Sequence, residues 1–153
     1  MPVALWSALL QINRDTVFVA GGRYEAGTNT NITVINDFCV YQPISNLVIP
    51  LAKMNKGRSS FPMVYHNNLV FALGGRNDKP EPNLTMGDCE SYSFKTEQWH
   101  SLPSLNKPRC NHASIIYKDQ IWVFGGYSGH YRRTTKIERL SADHSSWEIL
   151  PLR

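Results

Sequence analysis

The residues best suited to chemistry cluster behind paired glycines. Arg23 follows Gly21-Gly22, and Arg76 with Asn77 follows Gly74-Gly75. Tyr127 follows Gly125-Gly126, with His130, Tyr131 and Arg132 close behind. A guanidinium presents a planar fork of donors that matches a carboxylate. Tyr and Arg are also frequent anchors of protein interfaces. These residues therefore point to recognition of a protein partner, with an acidic peptide as a suitable target. An alternative for Arg76 is a pair with Asp78 or Glu81 of its own loop.

Reaction chemistry has no comparable signal. The chain holds no C-x-x-C, H-x-x-x-H or H-E-x-x-H spacing, so no metal site is expected. There is no P-loop and no G-x-G-x-x-G, and no cofactor is expected. Gly126-Tyr127-Ser128-Gly129 lacks the spacing and strand–helix context of a nucleophile elbow. The pair Asp88 and Glu90 reads as solvated, although Glu90 and Glu138 also recur at matching places.

The elements that carry these residues repeat. Each glycine pair ends a short apolar run, and the steps between pairs are 53 and 51 residues. Arg58 and Arg109 each lie 16 residues before their pair, and Tyr92 and Leu140 each lie seven before Trp99 and Trp147. Such self-similarity marks one structural unit present three times. Each unit reads as four short strands, in the third about 112–117, 120–124, 135–140 and 146–150. Tyr117-Lys118-Asp119-Gln120 is a tight hairpin turn, with His66-Asn67-Asn68 and Asn13-Arg14-Asp15 in the same place. The glycine pair ends the second strand and lets the chain leave the sheet. No window supports a long amphipathic helix.

The pattern Arg…Gly-Gly…Tyr-x6-Trp resembles Kelch repeats, whose period is about 50 residues with four strands per blade. Arg58…Gly74-Gly75…Tyr92…Trp99 and Arg109…Gly125-Gly126…Leu140…Trp147 match well. In the first unit Leu5 takes the Arg place and Val48 the Trp place. The resemblance implies an all-β Kelch-type β-propeller segment, with blades at about 1–52, 53–103 and 104–153. Gly21, Gly22, Arg58, Gly74, Gly75, Tyr92, Trp99, Arg109, Gly125, Gly126 and Trp147 then form the repeated framework. The two arginines would tie neighbouring loops together or line the central mouth. His112 could face the channel, though a lone His is more often structural. Trp99 and Trp147 would pack between blades.

Function belongs to the long loops between second and third strands, about 23–36, 76–87 and 127–134, which vary while the strands keep register. The resemblance implies a protein-binding scaffold without catalysis, such as a substrate receptor of a cullin-type ubiquitin ligase. Arg76 and Asn77 stand where such receptors meet their targets. A cytoskeletal, actin-associated scaffold is an alternative. A carbohydrate-active or copper-oxidase propeller is another, but no spacing assigns the two His, two Tyr and Cys that a copper-radical site needs.

Closed propellers have about 4–8 blades. Three blades are therefore expected to be half of a larger ring, two copies joined into six blades, or an open arc. Hydrophobic content of 42% and charged content of 18% describe a folded chain. No run of about 18 apolar residues suggests a membrane span. Residues 1–10 lack the basic start of a signal peptide. Three cysteines, Cys39, Cys89 and Cys110, argue against a disulfide framework and for a reducing, cytoplasmic setting. Asn31-Ile32-Thr33 and Asn83-Leu84-Thr85 match a glycosylation acceptor and read as chance. The net charge of +4 is uneven. Blade one has two cations against three carboxylates, and blade three has eight against four. The cluster Arg132, Arg133, Lys136 and Arg139 is either a solvated face or a dock for an acidic peptide. No basic stripe interleaved with aromatics suggests nucleic acid.

Overall fold

The computed structural model describes residues 7–25, 32–79, 83–129 and 132–151. Their regular structure is all β, in three four-stranded antiparallel sheets. Blade one comprises β1 (Ala8–Asn13) and β2 (Thr16–Ala20), a ribbon of β3 (Arg23–Glu25) and β4 (Ile32–Val34), then β5 (Phe38–Gln42) and β6 (Leu47–Pro50). Its sheet order is β1-β2-β5-β6. Blade two comprises β7 (Met63–His66), β8 (Leu69–Arg76), β9 (Thr85–Ser93) and β10 (Gln98–Leu102) in sequential order. Blade three comprises β11 (Ala113–Tyr117), β12 (Gln120–Phe124), a ribbon of β13 (Tyr127–Ser128) and β14 (Arg132–Arg133), β15 (Ile137–Leu140) and β16 (Trp147–Leu150). Its order is β11-β12-β15-β16. The first strands β1, β7 and β11 pack side by side and form the inner edge of an arc.

Burial explains the strand composition. Val70, Phe71, Ala72 and Leu73 of β8 are all buried, because blade two is covered on both faces. One core joins blades one and two through Phe18, Phe38, Val70, Tyr92 and Trp99. A second joins blades two and three through Phe71, Leu73, Ile121, Val123, Leu140 and Trp147. Strands of the outer blades alternate instead, as half-buried strands do: β12 buries Ile121 and Val123 and turns Trp122 and Phe124 the other way. The cores lie between sheets, and packing passes from each blade to the next.

Two of the three first hairpins turn as expected. Asn67 and Asn68 take φ of 48° and 61°, and Lys118 and Asp119 take 48° and 58°. Positive φ at both central residues is the two-residue turn that suits strand twist. The turn in blade one is different. None of Asn13, Arg14 and Asp15 is left-handed, and the register slips between Gln11 and Asn13. There Asn13 Oδ1 accepts the Asp15 N–H at 2.9 Å, a local side-chain turn.

The glycine pairs also differ from the simple strand end expected of them. In blade two the strand runs through the pair, with a bulge between Leu73 and Gly75, and pairs on to Arg76. The long loops are thus not irregular. Arg23 pairs with Val34, Arg76 with Thr85, and Tyr127 with Arg133, so each loop starts as a two-stranded ribbon.

A buried clamp and the candidate partner-binding face

The repeated arginines are the largest fully buried side chains among the described residues. Arg58 and Arg109 are both 0% exposed. The Arg58 guanidinium donates to the carbonyls of Gly74 and Asp88, each at 2.7 Å, and to Glu90 Oε1 at 2.6 Å. Arg109 donates to the carbonyls of Gly125 and Lys136 at 2.9 and 2.6 Å and to Glu138 Oε1 at 2.6 Å. The side chain therefore joins strands two and three of its own blade, not neighbouring loops. The main chain makes the link to the preceding blade. Arg58 accepts from the Gly22 N–H and donates to the Ile35 carbonyl. Arg109 repeats this with Gly75 and Met86.

Glu90 is likewise not solvated: it is 2% exposed, and only Asp88 stands in water, paired with Lys56. Repeat register outranks exposure guesses at this position. Glu90 also accepts the main-chain N–H groups of Asn55 and Lys56 at 2.8 and 3.1 Å. Glu138 accepts those of Asn106 and Lys107 at 2.7 and 3.0 Å. These four donors lie in the segments that link one blade to the next. The tryptophans hold the same segments: Trp99 Nε1–H donates to Ala52 at 2.8 Å and Trp147 Nε1–H to Pro103 at 2.9 Å. Arg, Glu and Trp together form a clamp on the incoming linker. Such charges tolerate burial because each guanidinium meets a carboxylate and two carbonyls, although Arg58 Nε has no partner among the described residues.

Strand register shows what blade one has in these places. Glu90 lies opposite Ala72, Glu138 opposite Val123, and Cys39 opposite the equivalent Val19. Trp99 lies opposite Tyr92, Trp147 opposite Leu140, and Val48 opposite Tyr41. Blade one thus carries Leu5, Cys39 and Val48 where the other blades carry Arg, Glu and Trp. Leu5 itself lies outside the described residues. The arginine and glutamate places have changed together, which the sequence register alone already allows one to see.

The glycines fit against this frame. A Cβ on Gly74 would stand 2.9 Å from the Arg109 carbonyl, and one on Gly126 would stand 2.5 Å from that of Cys110. His112 sits between them, buried, with both ring nitrogens lacking a hydrogen-bond partner among the described residues. Burial and then the Arg109 charge lower its pKa to about 3, so it is neutral in ordinary buffers. Phe61 occupies the same place in blade two, also buried. The three cysteines are all buried and outside any disulfide, and burial pushes Cys89 up to about 12. Among the described residues no group of three His, Cys, Asp or Glu side chains stands together as a metal site. No helix among them is long and apolar enough to cross a membrane.

The partner-binding candidates rise from the same frame. Arg23, Arg76 and Tyr127 are the first residues of their ribbons, and all three are half-buried. Main-chain bonds join the bases of two ribbons. Arg76 pairs with Ser59, Ser60 accepts from Asn111, and Cys110 pairs with Tyr127. Ser60 and Asn111 are held left-handed at φ of 54° and 51° where this path crosses between blades.

Asn77 does not point its amide outward to a partner. Its Oδ1 accepts the Lys79 N–H at 2.8 Å and its Nδ2 donates to the Asn83 carbonyl at 3.2 Å, so it shapes its own loop. His130, Tyr131 and Glu81 lie outside the described residues. Arg132 is exposed on β14. The basic cluster of blade three does not form one patch. Arg132 and Arg133 are on the ribbon, whereas Arg139 stacks 5.5 Å from the Trp122 ring and pairs with Glu148 on the sheet.

A groove of about 510 Å³ lies between the ribbons of blades two and three, lined among others by Asn77, Lys79, Asp88, Lys107 and Ser128. Lys79 and Lys107 are exposed and stand in no ion pair among the described residues. Lys107 is invisible as a site residue in sequence, since it reads there as a framework match. It lines the groove while its main-chain N–H donates to Glu138.

Comparison with known proteins agrees with this architecture. A family model described as "Kelch motif" matches residues 57–106 and 108–151, which are the two blades with intact clamps. Kelch-like protein 36 of Rattus norvegicus is 32% identical over 137 residues, covering 86% of this chain and 21% of its own length. Alpha-scruin of Limulus polyphemus is 25% identical over 115 residues, covering 74% of this chain and 12% of its own. The chain spans about a fifth of the length of the Kelch-like relative. A solved structure titled "Structure of YjhT" superposes with a TM-score of 0.78 at 18% identity, covering 95% of this chain and 51% of that one, a likeness of fold. With this match and with the Arg–Glu–Trp frame in two of its blades, the chain belongs to the Kelch-motif family.

Proposed function

We propose that this chain is a non-catalytic protein-interaction scaffold whose ribbon face binds an acidic segment of a partner protein. The observation that carries the reading is the groove between the second and third ribbons, which Lys79 and Lys107 line together with Asn77 and Ser128. Arg23, Arg76, Tyr127 and Arg132 would extend the contact along the arc. The hydrogen-bonded ribbon bases make this surface preformed, which limits the ordering cost of binding. Opposite charge would steer the encounter, and the contact would weaken with salt.

The finer reading is substrate recognition for a cullin-type ubiquitin ligase, and cytoplasmic work would follow from it. It rests on likeness to Kelch-like relatives, of which this chain covers only a fifth.

The test is peptide selection on the folded chain, followed by calorimetry with the winning peptides. The expected winners are acidic, and Lys79→Glu with Lys107→Glu weakens them at least tenfold while the melting temperature holds. Binding that is indifferent to both lysines and to salt would overturn the assignment.

A further inference from the structure

One place in the clamp frame changes the sign of its charge from blade to blade. It lies two residues before Cys39, Glu90 and Glu138, and it holds Asp37, Asp88 and Lys136. Main-chain bonds fix this register. Gly21 and Gly125 donate to the carbonyls of Asp37 and Lys136, and Arg58 and Arg109 donate to those of Asp88 and Lys136. In blade one the Asp37 carboxylate meets Lys53 at 2.8 Å. In blade two the Asp88 carboxylate meets Lys56, which comes in on the linker. Lys107 is the counterpart of Lys56, since each donates its N–H to the clamp glutamate. At the joint between blades two and three the linker lysine is therefore kept, and its aspartate is replaced by Lys136.

Carboxylates flanking this joint are already engaged. Glu138 is 0% exposed and holds Arg109 and the N–H groups of Asn106 and Lys107. Asp88, which also lines the groove, is paired with Lys56. Lys107 and Lys136 are both exposed and stand in no ion pair among the described residues. The Lys56–Asp88 pair shows that the frame brings these two places within contact. Blade two sets one ammonium against one carboxylate there, whereas blade three sets two ammonium groups. A single carboxylate from outside would restore only half of the balance. A phosphoryl group carries about −1.5 to −2 charges at pH 7 and three strong acceptor oxygens, which suits two lysines.

We propose that Lys107 and Lys136 hold a phosphoryl group carried on a side chain of the partner segment, so that phosphorylation of the partner tightens its grip on the ribbon face. This rests on the ribbon face being the partner-binding one, whose groove Lys107 lines. The main chain of Lys136 is fixed by Arg109 and by Thr134 Oγ1, which accepts its N–H at 3.2 Å. The side chain is left to reach outward.

The probes are phosphoserine blocked at both ends and inorganic phosphate, titrated at pH 7 and low salt into the whole chain and followed by NMR. The expected result is saturating shifts at Lys107 and Lys136 with either probe, and at least fivefold weaker binding of glutamate blocked in the same way. Lys136→Asp gives Lys107 the partner that Lys56 has, so binding should fall at least tenfold with no loss of melting temperature. Lys95→Asp makes the same charge change on the exposed turn between β9 and β10 and should leave binding within twofold. Asp88→Lys should create a second site with Lys56. Shifts that never saturate, equal losses in Lys136→Asp and Lys95→Asp, or glutamate binding as well as phosphoserine would overturn the phosphoryl site. Binding of inorganic phosphate alone would overturn a source on the partner segment. Acidic peptides that need Lys79 and Lys107 while neither probe binds would sink this site and leave the groove reading standing. Probe binding at Lys107 and Lys136 without any acidic-peptide binding would do the reverse.

Discussion

His112 shows how one repeat position can hold different chemistry. Its neighbour in register is Phe61, and both fill the space against a glycine of the adjoining pair. The imidazole is kept neutral, with a pKa of about 3 against an ordinary 6.5. The unfolded chain takes up its proton near 6.5 and the folded chain only near 3. Between these values unfolding binds a proton, so this residue lowers stability as pH falls. His112→Phe should remove that slope, flattening it by up to roughly 1.4 kcal/mol per pH unit. Urea melts from pH 7 to pH 4 would show it, and an unchanged slope would contradict the buried, unpartnered ring. Nothing in the sequence separates this His from a channel-lining one, because both sit at the start of a first strand. The burial comes from Gly74 and Gly126 on either side of it.

At the scale of elements, the paired glycines are where the blades touch. Gly74 has φ of +57° and its missing Cβ would meet the Arg109 carbonyl at 2.9 Å. Gly125 has φ of +62°, but the nearest atom, the Thr134 carbonyl, is 3.5 Å away. Both lose the freedom of glycine on substitution, at about 1–2 kcal/mol for a left-handed residue. Gly74→Ala carries the clash in addition, so it should destabilise clearly more than Gly125→Ala in dilute chain, read by chemical denaturation. Equal losses would mean that backbone conformation alone decides. Strand number, order and the first-hairpin turns of blades two and three were legible from repeat and turn residues such as Asn67-Asn68. The ribbons were not, since their pairing follows from the bulge at Leu73 and Gly75 rather than from alternation. Nor was the inward role of Asn77, because an Asn after Gly-Gly serves a loop and a ligand equally well.

Across the whole molecule, stability is a sum of joints, as in repeat proteins generally. Trp99 is central to the first joint, with its ring 5.0 Å from Phe38 and 5.5 Å from Tyr92. Trp99→Ala removes about 3–5 kcal/mol of packing, all of it between blades one and two. Blade one should then open by itself. Hydrogen exchange is expected to speed up in β1, β2, β5 and β6 and to stay slow in β12 and β15. Uniform acceleration across all three blades would show a single cooperative unit instead.

The clamp has a consequence for how such arrays grow. Arginine, glutamate and tryptophan all belong to the blade that receives the linker, and the linker contributes main-chain groups and one asparagine side chain. A duplicated unit therefore brings its own fastening for whatever precedes it, and its predecessor need not change. Lengthening the array requires only copying. A unit that lacks all three side chains, as blade one does by its register, has no such fastening.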